Sequence, residues 1–421
     1  MNRFILIFCS FLASTLYLSG FSQIIDNKVF KSDIRTPLAF PSGNPLGYPM
    51  LELYSTTPIE FHFDLMGTER NDYRYAVYHC DHNWNVSDLT SNEYLSGFSV
   101  QDINDIEYSF NTEIEFLHYT FQFPNDLSKP TRSGNYGIIV FDGEDPFTSQ
   151  VATFRMIVFE NLVQINGVVN NSSSVGDRFK RQEIDFDISH AGFQINAPLR
   201  DVKVVILQNG DWSSSVRGLA PTFIKQNQLI YDYNGPNNFD GGSEWRFFEV
   251  KSLKFASIQV EGLMMEPDGW HAYLRRDPLR GGKAYQTEFD INGKFFIRND
   301  LGEESHLDAE YIWVHFKLDS PPILDAIVEL ETIESRFKPE LFKLEYDMQE
   351  KAYAKKILMK QGYYNYRYKL RDLYHPNGDL SITEGNHSET ENDYHIITYF
   401  FDRQFGGDRI IGVSAINSIA R

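Results

Sequence analysis

The sequence predicts an all-β protein made of several antiparallel β-sandwich domains, immunoglobulin-like or early-set-like in style. Three observations predict it. Short segments alternate apolar and polar residues with a period of two. Turn signals lie between them. Phe, Tyr and Trp make up 15% of the chain, a composition that suits pleated surfaces better than helices. No stretch carries a sustained apolar repeat of 3.6 residues.

Taken in order, the chain of 421 residues opens with MNRFILIFCSFLASTLYLSGFSQ. One positive residue, Arg3, precedes an apolar run from Phe4 to Leu18, and small and polar residues follow, which is the pattern of a signal peptide cleaved after Ser22. The run is shorter than the roughly 20 residues that cross a bilayer. Cys9 follows Ile7 and Phe8 rather than small residues, which does not fit a lipoprotein attachment site. The expected mature protein is exported, without a transmembrane segment. Loss of residues 1–22, whose only charge is Arg3, takes the formal net charge from −19 to −20. Such acidity argues against nucleic acid or anionic lipid as a partner, since both select clustered Lys and Arg. Cleavage also leaves Cys80 alone. No internal disulfide can then form, stability must come from packing, and a buried free thiol is the expected state.

The strands follow. In PIEFHFDL, Ile59, Phe61, Phe63 and Leu65 share one face, and Glu60, His62 and Asp64 the other. The pattern recurs in FLHYTFQF (Leu117 to Phe123), NYGIIVF (Tyr136, Ile138, Val140), EIDFDI (Ile184, Phe186, Ile188), YIWVHFKL (Ile312 to Leu318) and YYNYRYKL (Tyr364 to Leu370). Between them stand SGN (133–135), DG (142–143), NG (166–167, 209–210, 292–293), DGG (240–242), HPNG (375–378) and FGGD (405–408). Turn-rich VVNNSSSVGDRF after VATFRMIVF marks a boundary near Asn161, and the loop NDLGEESHL marks another near Leu307. The expected domains are 23–160, 161–307 and 308–421.

The stretch YHCDHNW, residues 78–84, sets four potential ligands, His79, Cys80, Asp81 and His82, between Tyr78 and Trp84. It ends the strand-like DYRYAVYHC, whose extended geometry sends His79 and Asp81 to one face and Cys80 and His82 to the other. Four ligands on opposite faces do not converge on one ion, and neither a Cys-x-x-Cys pair nor a His-Glu-x-x-His helix is present. The expectation is a strand end, with Asp81 or Asn83 bonding backbone in a turn and Trp84 packed beneath. Elsewhere there is no Gly-x-Ser-x-Gly elbow, phosphate loop or dinucleotide fingerprint. Asp240, Glu244 and Glu249 in NFDGGSEWRFFE (238–249) read as a glycine turn feeding a strand. Trp212, Trp245 and Trp270 could stack on sugar rings, although core packing is the commoner use of tryptophan.

Resemblance to a known family enters at residues 72–136. DYRYAVYHCDHNW, NEYLSGF (92–98), DIEYSFNTEIEFLHYTFQFPN (105–125) and SGNYGIIVF (133–141) resemble, in order and spacing, the N-terminal domain of the type IX secretion system plug protein family. Further on, YNGPNNFDGGSEWRFFEVKSL (233–253), DINGKF (290–295), KQGYYNYRY (360–368) and ETENDY with GGDRIIGVSAINS (389–418) are similar to the rest of such proteins. His79, Cys80, Asp81, His82 and Trp84 belong to the shared motif, for which the family supplies no catalytic role. The resemblance implies a non-enzymatic periplasmic protein without cofactor or metal, peripheral to the outer membrane. It would dock on the inner mouth of the translocon barrel and seal it when idle. KKILMKQGYYNYRYKL (355–370) is also similar to early-set modules found beside carbohydrate-active enzymes, so a glycan-binding protein is the alternative, and a glycoside-active enzyme the third reading. A specific interface should bury at least about 1,000 Å² around aromatic or Arg anchors. Sequence names none of them; the loops 124–135 and 235–249 are the only guesses.

Overall fold

A computed structural model of the protein describes residues 23–419. The expected signal peptide lies outside them, as does Cys9. Strands dominate, paired almost throughout in antiparallel fashion, and each α-helix is a single turn of four or five residues.

The first sandwich closes two sheets on one another. One orders Lys28–Val29, Gln150–Phe159, Gly134–Phe141, Arg74–Cys80 and Val100–Asp102, with Met50–Glu52 alongside Gln150–Phe159. The other orders Ile34–Pro41, Ile59–Met66, Phe116–Phe123 and Asp105–Tyr108. Alternation sets the filling: Ile59, Phe61, Phe63 and Leu65 all point inward and are buried. Phe63 stacks on Tyr119 and Phe61 on Phe121, at 5.0 and 4.9 Å between ring centroids, and Tyr75 closes over Phe121 from the facing sheet at 4.4 Å.

The remainder of the chain is nested rather than sequential. Gln164–Asn171, Arg181–Ser189, Gln228–Tyr231, Phe223–Lys225 and Asn238–Asp240 make one sheet of the second sandwich. Its partner sheet orders Asp211–Arg217, Val202–Gln208, Asp393–Asp402 and Gly407–Asn417, so its last two strands come from the end of the chain. The third sandwich lies between them in sequence. Arg246–Val250 and Phe295–Ile297 pair with Gly362–Arg371, which also pairs with Ile327–Glu331. Facing them, Val260–Glu266, Gly269–Leu274, Tyr311–Asp319, Ala352–Lys360 and Glu345–Asp347 form the second sheet.

This pairing corrects two expectations. Strands on both sides of Leu307 are hydrogen-bonded neighbours, Gly269–Leu274 with Tyr311–Asp319 and Arg246–Val250 with Gly362–Arg371. The loop there joins strands of one sheet and separates no domains as 161–307 and 308–421 would require. Turn chemistry looks alike within a sandwich and between sandwiches. Likewise Asn166–Gly167 lies inside the strand Gln164–Asn171 rather than in a turn. Gly167 lies close to the facing sheet there: a Cβ would stand 2.8 Å from Ile396 Cδ1, which would have to shift.

Candidate functional site

The functional architecture lies where the first sandwich meets the other two. Its two sheets each turn their outer face to a different neighbour.

The 78–84 stretch occupies the seam with the second sandwich. Arg74–Cys80 sends Tyr75, Val77 and His79 into the first core, while Ala76 and Cys80 reach a separate apolar layer. There they pack with Ile139, Ile157, Val205, Leu207, Ile397 and Tyr399. After Cys80 the chain turns. The Asp81 carboxylate accepts from the backbone N–H of Asn83 at 2.8 Å and of Asn85 at 2.9 Å, and Trp84, at φ +69°, drops its indole into the seam. Trp84 meets Trp212 edge to face at 4.9 Å, and the Arg155 guanidinium lies 4.7 Å from its ring centre. Tyr78 packs on Phe147 at the edge of this layer.

Each ionisable member of the stretch is held by its surroundings. His79 is buried between Tyr94, Tyr136 and Phe405, with Nδ1 3.1 Å from Ser87 Oγ, and burial lowers its pKa to about 4. The Cys80 thiol is pushed up to about 12 by burial, which leaves it inert as a nucleophile at neutral pH. His82 bonds Asp408 at 2.7 Å, and Lys203 reaches the other carboxylate oxygen at 3.4 Å. Burial alone would raise the Asp408 carboxyl, but the His82 hydrogen bonds and the Lys203 charge hold it at about 2. His79 and His82 thus serve different partners, and no shared ion site forms within 79–82.

The opposite sheet meets the third sandwich across a cleft of about 860 Å³, lined in part by Thr36, His62, Asp64, His118, His306 and Lys360. At its floor, Asp64 and Lys360 form an ion pair of 2.7 Å, with both side chains 1% exposed. Tyr311 donates to the same carboxylate oxygen at 2.7 Å, and His118 Nδ1 to the other at 2.6 Å. Burial opposes the Asp64 charge, but Lys360 and then His118 hold its pKa at about 2. From His118 the chain of contacts runs outward: Nε2 to His62 Nδ1 at 3.1 Å, then His62 Nε2 to Glu60 at 3.4 Å. Sequence reasoning placed Glu60, His62 and Asp64 on the polar face of a strand and stopped there. The partner that turns this face into a seam, Lys360, is 296 residues away from Asp64.

The other sequence candidates are dispersed. Asp240 pairs with Arg181 at an exposed edge, Glu244 is buried beneath Tyr285, and Glu249 pairs with Lys251, so the three carboxylates share no cleft. Trp245 is buried against Arg367, and Trp270 is half-buried. Much of 235–249 is interior: Asn237, Asn238, Trp245 and Arg246 are all buried.

Residues 34–160, which carry both outer faces of the first sandwich, match the family model described as the type 9 secretion system plug protein 1st domain. Residues 34–160 are thus a first domain of the type IX secretion system plug protein family. It is also similar, at 31% identity and a TM-score of 0.89, to a hypothetical protein from Parabacteroides merdae known from its crystal structure. That match covers 94% of this chain and 100% of the other. No curated protein matches. In the plug family's first domain, then, the 78–84 stretch and the Asp64–His118 pair are the two sides by which that domain is gripped. Among the described residues, no helix is long and apolar enough to cross a membrane.

Proposed function

We propose that the protein is a non-enzymatic periplasmic plug. It lies peripheral to the outer membrane, docks on the periplasmic opening of the type IX translocon barrel and seals that opening while no cargo passes. The family match of the first domain carries this reading. Its mechanical logic is consistent with the seams. A stopper must keep its shape while pressed against a wide opening, and three sandwiches joined by buried contacts resist bending better than domains on linkers. The perturbed groups at the seams are tied to one another: Cys80 is sealed in apolar packing, and Asp64 is bound to Lys360, Tyr311 and His118.

The alternative, a glycan-binding protein, draws less support. Trp245 is buried, and the Trp212 ring already meets Trp84 and lies within 5.6 Å of the Arg217 guanidinium. The mature chain, used as bait on solubilised outer membrane, is expected to recover a very large barrel protein. Retention on a glycan column without recovery of any barrel would overturn the plug in favour of the alternative.

A further inference from the structure

On the third sandwich, at the turn of a hairpin whose Gly269 approaches Ile114 of the first, two histidines and two carboxylates converge. The hairpin formed by Val260–Glu266 and Gly269–Leu274 places Glu266 and Asp268 at its turn and His271 just beyond, and the neighbouring strand Tyr311–Asp319 brings in His315. His271 is buried, and Glu266, Asp268 and His271 can each present a ligand atom within 4.8 Å of the others.

The protonation pattern is fixed by neighbours. Asp268 Oδ1 lies 2.8 Å from His271 Nε2, while Lys356 Nζ holds the other Asp268 oxygen at 3.0 Å. An ionised carboxylate only accepts, so His271 carries its proton on Nε2 and presents a lone pair at Nδ1. That lone pair accepts from His315 Nε2 at 2.8 Å, a proton that passes to His315 Nδ1 when Nε2 binds a metal, and it lies 3.8 Å from Glu266 Oε1. The Tyr273 hydroxyl donates to the same Glu266 oxygen, and its ring stacks on His315 at 4.2 Å, so Tyr273 holds both groups beside His271.

We propose that Glu266, His271 and His315 bind a single divalent first-row metal ion, of which zinc is the best fit, with Asp268 as the carboxylate that orients His271. The expectation that the protein carries no metal would then fail at this cluster. Zinc bound at its usual 2.0–2.2 Å in tetrahedral geometry separates ligand atoms by roughly 3.3 Å. The His271–His315 nitrogen pair, at 2.8 Å, must open by about 0.5 Å to reach this spacing, and Glu266 Oε1, 3.8 Å from His271 Nδ1, must close by about as much. Two imidazoles and one carboxylate leave the fourth position to water, and a carboxylate behind a metal-binding histidine is the usual means of fixing its tautomer and raising its basicity.

The His62–His118 pair supplies an internal control. Its nitrogens also face one another, at 3.1 Å, but Glu60 and Asp64 each lie on the far nitrogen of a ring, and Asp64 is bound to Lys360. With both carboxylates so engaged, that pair lacks the third ligand and should hold no metal.

The test is calorimetric titration of chelator-treated mature protein with Zn²⁺, alongside visible absorption with Co²⁺. One Zn²⁺ per chain is expected, with Co²⁺ giving the intense bands of a four- or five-coordinate site. His315→Asn and Glu266→Gln should abolish both signals, Asp268→Asn should weaken Zn²⁺ binding by roughly 10–100-fold, and His62→Asn should change nothing. Glu266 is on the surface, so Glu266→Gln reports on the site even if His315→Asn fails to fold. Absence of stoichiometric Zn²⁺ binding, or binding unaltered by Glu266→Gln, overturns the proposal.

Discussion

The two seams of the first sandwich bury similar strands of one domain by opposite chemistry. Against the second sandwich the contact is an apolar layer around Cys80, Trp84, Ile139 and Tyr399, flanked by the Arg155 guanidinium over Trp84 and by the Lys203–Asp408 pair. Against the third it is a closed network of Asp64, Lys360, Tyr311 and His118 beneath a cleft. The apolar layer gains free energy from every buried carbon and tolerates small shifts in register. The buried ion pair adds little net stability, because desolvation offsets most of its attraction, but it penalises any arrangement that leaves one partner alone. One seam therefore supplies adhesion and the other alignment.

The largest effect should come from breaking the alignment device on one side. Lys360→Met leaves the Asp64 carboxylate buried without its cation, and denaturant unfolding should report a loss of about 3–5 kcal/mol. The double variant Asp64→Asn, Lys360→Met removes the orphaned charge and should regain most of that loss. If the double variant were as unstable as the single one, the ion pair would be supplying adhesion and the contrast between seams would fail.

Acid should act on the seams in two pH windows, one set by buried histidines and one by buried carboxylates. The folded pKa of His79 is depressed to about 4 by burial, against about 6.5 in an unfolded chain. As pH falls below 6.5 the unfolded state takes up a proton that the folded state refuses, so stability drops until the pH passes the folded value. Between about pH 7 and pH 5 this amounts to about 2 kcal/mol from His79 alone. His62, lowered to about 4 by burial and by His118, adds to the same window from the cleft side. Asp64 behaves differently. Its folded pKa of about 2 lies below its unfolded value near 3.9, so its contribution is present above about pH 4 and lost as the pH falls through 2. Urea titrations across pH should show His79→Asn flattening the upper slope and leaving the lower one intact. A slope unchanged above pH 4.5 would mean that His79 is not held neutral in the fold.

Sequence carried the strands well and the seams poorly, for physical reasons. Period-two alternation fixed the inward face of PIEFHFDL because one side of that strand meets a hydrophobic core. Its outward face reads the same whether it meets water or another domain, so Glu60, His62 and Asp64 gave no sign of Lys360. The turn at Asp81 was legible because Asp and Asn side chains bond their own backbone locally. Nesting was not, since Val202–Gln208 pairs with Asp393–Asp402 across most of the second half of the chain with no local signal to announce it. The Glu266, His271 and His315 cluster was missed for a like reason: Glu266 and His271 share one hairpin, but only the fold sets His315 beside them.

The smallest effect tests the edge of the adhesive seam. Lys203 and Asp408 form an ion pair there as Lys360 and Asp64 do in the other seam, but Lys203 is 36% exposed and 3.4 Å from its partner. Water and salt screen such a contact, and a long side chain loses entropy in making it, so its worth is at most about 1 kcal/mol. Asp408 would still keep two hydrogen bonds from His82, to the ring nitrogen at 2.7 Å and the backbone N–H at 3.0 Å. Lys203→Ala should therefore lower stability by about 0.5 kcal/mol at low ionic strength, and by less as salt is added. The same residue types thus differ several-fold in effect according to whether water reaches them. A loss above about 2 kcal/mol, or one insensitive to salt, would show that this seam too depends on charge, and the division between adhesion and alignment would have to be abandoned.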